Sequence, residues 1–454
     1  MMLERVLRLP EGKKLEFKRD CSSPQPLLRT LVAFANSAGG TVVIGVEDGT
    51  RNVVGVPNPL ELEQRIANLV ADSIVPRLLP EIDIVPWRNT HVLAIGVHSS
   101  QLRPHHVSAM GPERGTFVRL GSTNRTADPA LIAELRRGAE LRSYDEQPLP
   151  GSEALDFAAA SECFAEVRRL RPPDLATLRL VTEHQGRVVP TIGGAILFGP
   201  DRLDHLPDAW VQAGLFAGKD KSVIADRAEI REYPLRAIDA AIRFVERNTR
   251  LGAEIGGAAR RRDLPAVPPG ALREALVNAV VHSDYSQRGA PIRVAVFDDR
   301  VEVENPGILL PGLTVEDLAE GVSRLRNHVI GRVFQELGIV EQWGSGIQRM
   351  TSACIAAGLP APEFVEIGLR FRVVLRTVPI AAPAVDAVER RILDYVGAPE
   401  GRSTAEIARQ VALTTRATQH RLAKLVERGL VVAIGSGPRD PRRRWFLGGR
   451  ERRE

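Results

Sequence analysis

The sequence of 454 residues contains little cysteine, few aromatic residues and no long apolar run. Its three cysteines, Cys21, Cys163 and Cys354, are far apart and odd in number, which excludes a disulfide framework and a thiolate metal site. Aromatic residues make up 5% of the chain, which argues against a protein that binds single-stranded nucleic acid mainly by base stacking. The longest apolar runs, at 41–46 and 275–281, are too short to cross a bilayer, and the N-terminus lacks the apolar core of a secretion signal. These absences predict a cytoplasmic protein that does not enter a membrane.

The net charge of +5 is concentrated at the C-terminus. Residues 386–454 contain 15 Lys and Arg against 9 Asp and Glu, a net charge of +6, so the rest of the chain carries −1. A basic appendage of this kind is typical of a segment that binds a polyanion. Charge alone supports a solvated basic tail equally well.

The pattern of apolar residues divides the chain into four blocks, in line with the three or four domains that its length suggests. Residues 1–142 alternate strand-like runs with amphipathic helices, and the polar segment around 142–156 is typical of a linker. Residues 157–268 form a connector block in which the apolar run GGAILFG favours a buried strand. Residues 269–377 open with a strong helix followed by a strand pair, and 386–447 form the C-terminal block. We therefore predict a multi-domain α+β protein.

The C-terminal block has the order helix, capped helix, longer helix, basic hairpin. Ser403 and Glu406 have the spacing of a capping box, and Thr414 or Thr415 can cap the third helix. Outward-facing side chains of the third helix and the arginines of the hairpin are candidate contacts to double-stranded DNA: Arg416, Gln419, His420, Lys424, Arg439, Arg442, Arg443 and Arg444. The order of elements resembles the winged-helix family. The alternative is a winged helix that only contacts other proteins.

The helix predicted at 271–285 places Glu274, Asn278 and His282 on one face and apolar residues on the opposite face. Polar groups aligned on a buried helix require partners, because unpaired buried polar groups cost free energy. The stripe therefore indicates either a hydrogen-bonded core network or a nucleotide site.

This helix belongs to an ordered set of motifs: E-x-x-x-N, ENPG at 304–307, SRLRN at 323–327 and EQWGSG at 341–346. The set resembles the divergent GHKL-type ATPase module, an α/β sandwich that occurs in bacterial chains labelled RecG-related. The resemblance implies ATP and Mg²⁺ as cofactors, with Glu274 as general base and Asn278 as magnesium ligand. It places Asn305 and Gly307 near the adenine and Gly344 and Gly346 in the phosphate loop. The same motifs add His282, Arg326 and Asn327 to the implied nucleotide-binding residues.

Asn305 departs from that family, which has an aspartate at this position to accept from the adenine amino group. An amide accepts only through its oxygen, so the resemblance implies nucleotide binding rather than efficient hydrolysis. No helicase motor is predicted, because GLFAGKD at 214–220 lacks the spacing of a phosphate-binding P-loop.

The N-terminal block contains E-F-K, then A-N-x-x-G-G, then I-G-V-x-D over residues 16–48. These motifs resemble the Schlafen/AlbA-type nucleic-acid-binding domain. The acidic motif of nuclease members of that family maps onto Glu11, Glu16 and Asp48, which could gather a divalent cation for phosphodiester cleavage. The alternative is structural: Glu16 pairs with Lys18 or Arg19, and Asp48 caps a turn.

The leading hypothesis is a transcription regulator in which the Schlafen-like domain and the winged helix contact nucleic acid, while the GHKL-like module senses a nucleotide and biases their arrangement. The second hypothesis is a metal-dependent RNA nuclease acting in defence or stress. A third is a GHKL-type ATPase in DNA repair. A homodimer is expected from the symmetry of most DNA sites that such domains bind.

Overall fold

The computed structural model describes residues 3–139, 143–249, 252–254, 262–340, 345–378, 385–397, 400–435, 440 and 442–447. The chain forms two compact units: one combines residues from 1–132 and 381–454, and the other lies within 133–380. The mixture of helices and sheets confirms the predicted multi-domain α+β class. None of the described helices is long and apolar enough to cross a membrane.

The N-terminal part of the first unit contains a four-stranded sheet. Its helices are α1 (Leu3–Arg8), α2 (Pro24–Asn36), α3 (Pro59–Ser73) and α4 (Gly111–Gly115), and the boundary between the two units falls within the next helix, α5 (Pro129–Ala139). Its strands are β1 (Leu15–Lys18), β2 (Gly40–Ile44), β3 (Ile74–Val75), β4 (Glu81–Trp87), β5 (Thr90–Val97), β6 (His106–Val107), β7 (Phe117–Leu120) and β8 (Thr123–Thr126). The sheet has the order β1-β2-β5-β4, with only β1 and β2 parallel. Helices α2 and α3 cover one face, and the other face has an apolar core of its own.

The A-N-x-x-G-G motif of this part has a structural role. Asn36 is buried at the end of α2, and its side chain donates to the carbonyls of His105 and Phe117 at 2.8 and 2.9 Å. Its oxygen accepts from the His105 N–H at 2.7 Å. Gly39 has φ +76°, and a Cβ there would lie 2.7 Å from the Val97 carbonyl oxygen. The motif therefore joins α2 to β5, β6 and β7.

The second unit is built on a six-stranded sheet with the order β12-β11-β15-β16-β18-β17, in which β11 and β15 are parallel. Its helices are α6 (Phe157–Phe164), α7 (Asp174–Thr177), α8 (Ile192–Phe198), α9 (Arg202–His205), α10 (Pro234–Asn248), α11 (Pro269–His282), α12 (Val315–Ala319), α13 (His328–Glu336) and α14 (Gly346–Ala356). Its strands are β9 (Val181–His184), β10 (Arg187–Pro190), β11 (Val211–Phe216), β12 (Ile224–Ile230), β13 (Gly252–Glu254), β14 (Arg262–Leu264), β15 (Ile292–Val296), β16 (Arg300–Pro306), β17 (Glu363–Ile367) and β18 (Arg370–Arg376).

The structure differs from the predicted separation of 157–268 and 269–377 into two domains. Strands β11 and β12 extend the sheet formed by β15 to β18, and one hydrophobic core runs from Ala160 to Leu375. The segment around 142–156, predicted as a linker, contains the fully buried Asp145. Sequence patterns indicate each element but not its partners, so a shared sheet was not predicted.

The run GGAILFG is helix α8 rather than the predicted strand. Thr191 caps the helix by accepting from the Gly194 N–H at 3.0 Å. A Cβ on Gly193 would lie 2.6 Å from the Val329 side chain, so the glycines allow close packing of α8. Periodicity does not distinguish a fully buried helix from a buried strand over so short a run.

The C-terminal part of the first unit comprises α15 (Ala387–Val396), α16 (Thr404–Val411), α17 (Thr415–Glu427) and a hairpin of β19 (Val431–Ile434) and β20 (Arg444–Leu447). The predicted capping box is present: the Ser403 N–H donates to Glu406 at 2.7 Å, and the Glu406 N–H donates to Ser403 Oγ at 3.3 Å. Thr414 caps α17 by accepting from the Ala417 N–H at 3.2 Å. Three helices followed by a hairpin confirm the predicted winged-helix arrangement.

Candidate functional site

A cavity of about 400 Å³ lies in the second unit beside helix α11. Its wall also includes the segment after β16, residues 322–326 and the first turn of α14. Residues from four separate sequence motifs line it: Glu274, Asn278, His282, Asn305, Gly307, Arg326 and Gly346. The fold thus brings together seven of the residues that the GHKL resemblance implied.

The polar stripe of α11 forms one end of the cavity. Asn278 Nδ2 donates to Glu274 Oε1 at 3.2 Å, and Arg349 Nη2 lies 3.3 Å from Glu274 Oε2. Gly346 leaves room for this carboxylate, since a Cβ there would lie 1.9 Å from Oε1. His282 follows one turn after Asn278, and burial lowers its pKa to about 4, so the imidazole is neutral at neutral pH. This end of the cavity presents a carboxylate, an amide, a guanidinium and a neutral imidazole.

Asn305 lies at the end of β16 and is oriented by the backbone. Its Nδ2 donates to the Pro306 carbonyl at 2.9 Å and points to the His282 carbonyl at 3.5 Å. With the amide nitrogen held in this way, the oxygen is the atom that can accept from a ligand amino group.

Gly307 and Arg326 form the neighbouring wall. Gly307 has φ +99°, and a Cβ there would lie 3.0 Å from the guanidinium carbon of Arg326. Arg326 is ion-paired with Glu134 and donates to the Ile308 carbonyl. Burial lowers the pKa of Arg326 to about 10, which still leaves it charged.

Two of the nucleotide-binding residues that the GHKL resemblance implied, Asn327 and Gly344, are not among the described residues that line the cavity. Asn327 is buried outside the cavity wall, and its Nδ2 donates to the Val281 and Ser283 carbonyls at 2.9 and 2.7 Å, so it holds the end of α11. Its place directly after Arg326 in one motif suggested a ligand contact, but consecutive residues point in different directions. Gly344 lies outside the described residues.

The apolar part of the cavity wall and one charged residue, Arg349, were not predicted from the sequence. The apolar part includes Ile308, Leu309, Leu310, Leu313, Leu318, Val322, Leu325, Met350, Phe364 and Phe371. The apolar run in the PGILLPGL loop was a usable signal, because exposed loops are seldom so apolar. Arg349 carried no such signal, since it meets Glu274 only through the fold. The cavity therefore joins a polar end to an apolar chamber.

Helix α17 presents the four side chains that were predicted to contact DNA. Arg416, Gln419, His420 and Lys424 are all exposed, while Thr418, Leu422 and Leu425 on the opposite side are fully buried. The helix therefore has one face in the core and one polar, basic face toward solvent.

Two of the four arginines predicted to form a basic wing contact other side chains of the protein. Arg443 lies with its guanidinium 5.0 Å from the Trp445 ring centre, and burial lowers its pKa. Arg444 pairs with Glu406 at 2.9 Å. The Arg442 side chain is exposed, and Arg439 lies outside the described residues. In the described part of the hairpin, Arg443 and Arg444 are therefore less available to DNA than the sequence suggested, whereas Arg442 faces solvent.

Three family models match the chain. Residues 11–128 match "Schlafen, AlbA_2", residues 289–375 match "Putative ATP-dependent DNA helicase recG C-terminal", and residues 385–432 match "Winged helix-turn-helix DNA-binding". The chain joins Schlafen/AlbA_2, RecG C-terminal ATPase-type and winged helix-turn-helix domains. The winged helix-turn-helix domain indicates DNA binding, and the ATPase-type domain indicates nucleotide binding. These matches confirm the predicted family resemblances.

Several solved structures are similar to this chain, including the two that follow. A protein from Corynebacterium diphtheriae is 20% identical, with 96% of this chain and 92% of that chain covered and a TM-score of 0.43. The N-terminal domain of a RecG-related protein from Nitrosomonas europaea is 23% identical, with 28% of this chain and 90% of that chain covered and a TM-score of 0.23. No curated protein matches the chain significantly.

In the Schlafen/AlbA_2 domain the three candidate nuclease carboxylates are differently engaged. Glu11 Oε1 accepts from the Phe17 N–H at 2.6 Å; burial chiefly raises its pKa, and the neighbouring Asp48 raises it further. Glu16 is held by two cations, Lys18 at 2.8 Å and the buried Arg119 at 2.6 Å. Within the described part of the chain, no three His, Cys, Asp or Glu side chains form a group that could hold a metal ion. The pairing of Glu16 fits the structural alternative, with Arg119 as an additional partner.

Proposed function

We propose that the protein is a DNA-binding transcription regulator whose ATPase-type domain binds ATP as a signal. The proposal rests on one observation: residues that are far apart in the sequence line the same cavity. They are Glu274, Asn278, His282, Asn305, Gly307, Arg326, Gly346 and Arg349. A cavity with a polar end and an apolar chamber suits a ligand that carries both phosphates and a flat base.

Magnesium fits this cavity only together with phosphates. The amide oxygen of Asn278 and the Glu274 carboxylate are oxygen donors of the kind that Mg²⁺ prefers. Mg²⁺ usually takes one or two protein ligands and completes its shell with phosphates and water. Asn278 would hold the ion, and the ion would neutralise phosphate charge.

Slow hydrolysis is expected. Glu274 is the candidate general base, but it is ion-paired with Arg349 at 3.3 Å and accepts from Asn278. Both carboxylate oxygens are thus already engaged, so one of these contacts must be released before the carboxylate can accept a proton from water. A domain that retains its nucleotide is suited to sensing rather than to turnover.

Contact to DNA is assigned to α17. Its exposed face carries Arg416 and Lys424 for phosphates and Gln419 and His420 for base edges. Thr414 caps the helix, so its N-terminal end is well defined for entry into a groove.

The test is fluorescence anisotropy of the full-length protein on a duplex from its own upstream region, a random duplex and a tRNA, with and without magnesium-ATP. Tighter binding to the upstream duplex that ATP shifts would support the proposal. Asn278→Ala should abolish the ATP effect but keep DNA binding, whereas Gln419→Ala should weaken binding to the upstream duplex alone.

Other outcomes separate the alternatives. Preference for tRNA with a shortened product on a gel would favour the Schlafen-like nuclease and contradict the regulator. Rapid, multiple-turnover phosphate release without preference for any duplex would favour a repair ATPase.

A further inference from the structure

The hairpin β19–β20 has two buried faces. Side chains alternate along the strands, as the pleat requires. The inner face packs on α15, α16 and α17 through Val431, Ala433 and Trp445. The outer face, formed by Val432, Ile434 and Phe446, is equally buried but belongs to a different core.

That second core belongs to the Schlafen/AlbA_2 domain. Val432, Ile434 and Phe446 pack with α1 and with the face of the sheet β1-β2-β5-β4 opposite α2 and α3. Their neighbours in this core include Leu7 of α1 and Trp87 of β4. The hairpin therefore completes a core that residues 3–132 leave open on one side.

Polar contacts fix the register of this packing. Arg88, in the turn between β4 and β5, pairs with Asp440 at 2.6 Å and donates to the Arg442 carbonyl at 3.2 Å. The Val53 N–H donates to the Gly435 carbonyl at 3.2 Å. The guanidinium of Arg8 in α1 lies 3.8 Å from the Phe446 ring centre. Apolar burial with directional contacts around it is the pattern of a specific interface.

We infer that the winged-helix hairpin is the docking element for the Schlafen/AlbA_2 domain, and that, among the described residues of the winged helix, α17 rather than the strands β19 and β20 carries the DNA contacts. Both faces of the hairpin are buried along β19 and at Trp445 and Phe446 of β20. Arg443 lies against the Trp445 ring, and Arg444, which is exposed, is paired with Glu406. The nucleic-acid-binding unit is then composite, with residues 3–132 and 385–447 acting as one body on one duplex. The statement on α17 rests on the proposed DNA binding, whereas the docking does not.

The strand β19 offers a matched pair of variants for the docking. Val432 faces the Schlafen/AlbA_2 sheet, and the adjacent Val431 faces the winged-helix core. In full-length protein, Val432→Ala should speed hydrogen exchange in α1 and in β4–β5 roughly tenfold, because it leaves a cavity at the interface. Val431→Ala removes the same atoms but should act mainly on α15–α17.

If the rates of hydrogen exchange in α1 and in β4–β5 of Val432→Ala stay within about twofold of the wild-type rates, the docking inference is wrong. If Val432→Ala does not fold, Arg88→Ala serves instead, since Arg88 is exposed and its loss creates no core cavity. It should speed exchange at residues 85–94 and 442–446 together.

Duplex binding tests the second half of the inference. Arg416→Ala should weaken binding to a random duplex roughly tenfold, while Arg442→Ala should leave it unchanged. Equal losses for the two variants would show that the hairpin contacts DNA. If no duplex binds the wild-type protein, the proposed DNA binding and the α17 assignment are both wrong, and the exchange measurements still decide the docking.

Discussion

Replacing Asp145 by alanine should lower the stability of the ATPase-type domain, although Asp145 lies in a segment whose sequence is typical of a linker. Asp145 is fully buried and accepts from the His328, Val329 and Ile330 N–H groups at 3.0, 2.7 and 3.0 Å. These are the first free N–H groups of α13, whose own N-cap residue makes no side-chain cap bond. The carboxylate therefore caps a helix that begins about 180 residues later in the chain.

The expected cost is larger than that of an ordinary helix cap. Hydrogen bonds to a charged group contribute about 1.5–3 kcal/mol each, and Asp145→Ala would leave the two buried N–H groups of Val329 and Ile330 and the partly buried N–H of His328 without this partner. Burial raises the pKa of Asp145, so desolvation of the carboxylate cancels part of that gain. We expect a loss of about 3 kcal/mol in local stability, against about 1 kcal/mol for a single ordinary cap.

The loss should reach the cavity, because α13 supplies Gly331 and Gln335 to its wall. The assay is hydrogen exchange of the peptide 328–336 in full-length protein, followed by titration with a fluorescent ATP analogue. Asp156→Ala is the matched control, since Asp156 caps α6 through one bond to the Ala159 N–H at 2.9 Å. An effect of Asp145→Ala no larger than that of the control would refute the reasoning.

Three further predictions concern single side chains. The pKa of His282 in the folded protein is about 4, below its ordinary value of 6.5. Between pH 4 and 6.5 the unfolded chain therefore binds more protons than the folded protein. As a result, the free energy of unfolding should fall as the pH drops from 6.5 to 4. The loss should be about 2–3 kcal/mol in thermal unfolding, and an equal pH slope in His282→Gln would contradict it. In the titration with a fluorescent ATP analogue, Gly346→Ala should lower the affinity roughly tenfold, because the new methyl group displaces the Glu274 carboxylate. Gly270→Ala should leave the affinity unchanged, because Gly270 has open space around it. Glu16→Gln should destabilise the first unit by about 1–2 kcal/mol in thermal unfolding, because the buried Arg119 of β7 loses its charged partner. A variant that is as stable as the wild type but has lost tRNA cleavage would instead support the nuclease hypothesis.

Local signals predicted local structure well. The Ser403–Glu406 capping box and the Thr414 cap were visible in sequence, because a helix start depends on residues only three positions apart. The run GGAILFG failed because a fully buried element loses the polar face that distinguishes a helix from a strand.

Long-range partners could not be predicted from the sequence. The α11 stripe indicated Glu274 and Asn278, because helical spacing alone places them on one face. Arg349 reaches Glu274 from another helix, and Glu134 reaches Arg326 from a helix almost 200 residues earlier in the chain. Such contacts depend on the packing of elements, which a single sequence does not specify.

The basic C-terminus shows how far a net charge can mislead about DNA contacts. Several of its arginines are paired with acidic residues of the same segment: Arg402 with Glu400, Arg421 with Asp386, Arg428 with Glu389 and Arg444 with Glu406. An arginine already paired with a carboxylate gains less from a phosphate, because binding must first break the existing pair. The exposed cations of α17 are Arg416 and Lys424, a small share of the 15 basic residues in 386–454. The electrostatic case for DNA binding therefore depends on which basic side chains face solvent, as Arg416 and Lys424 do on the exposed face of a capped helix, rather than on the total charge of the segment.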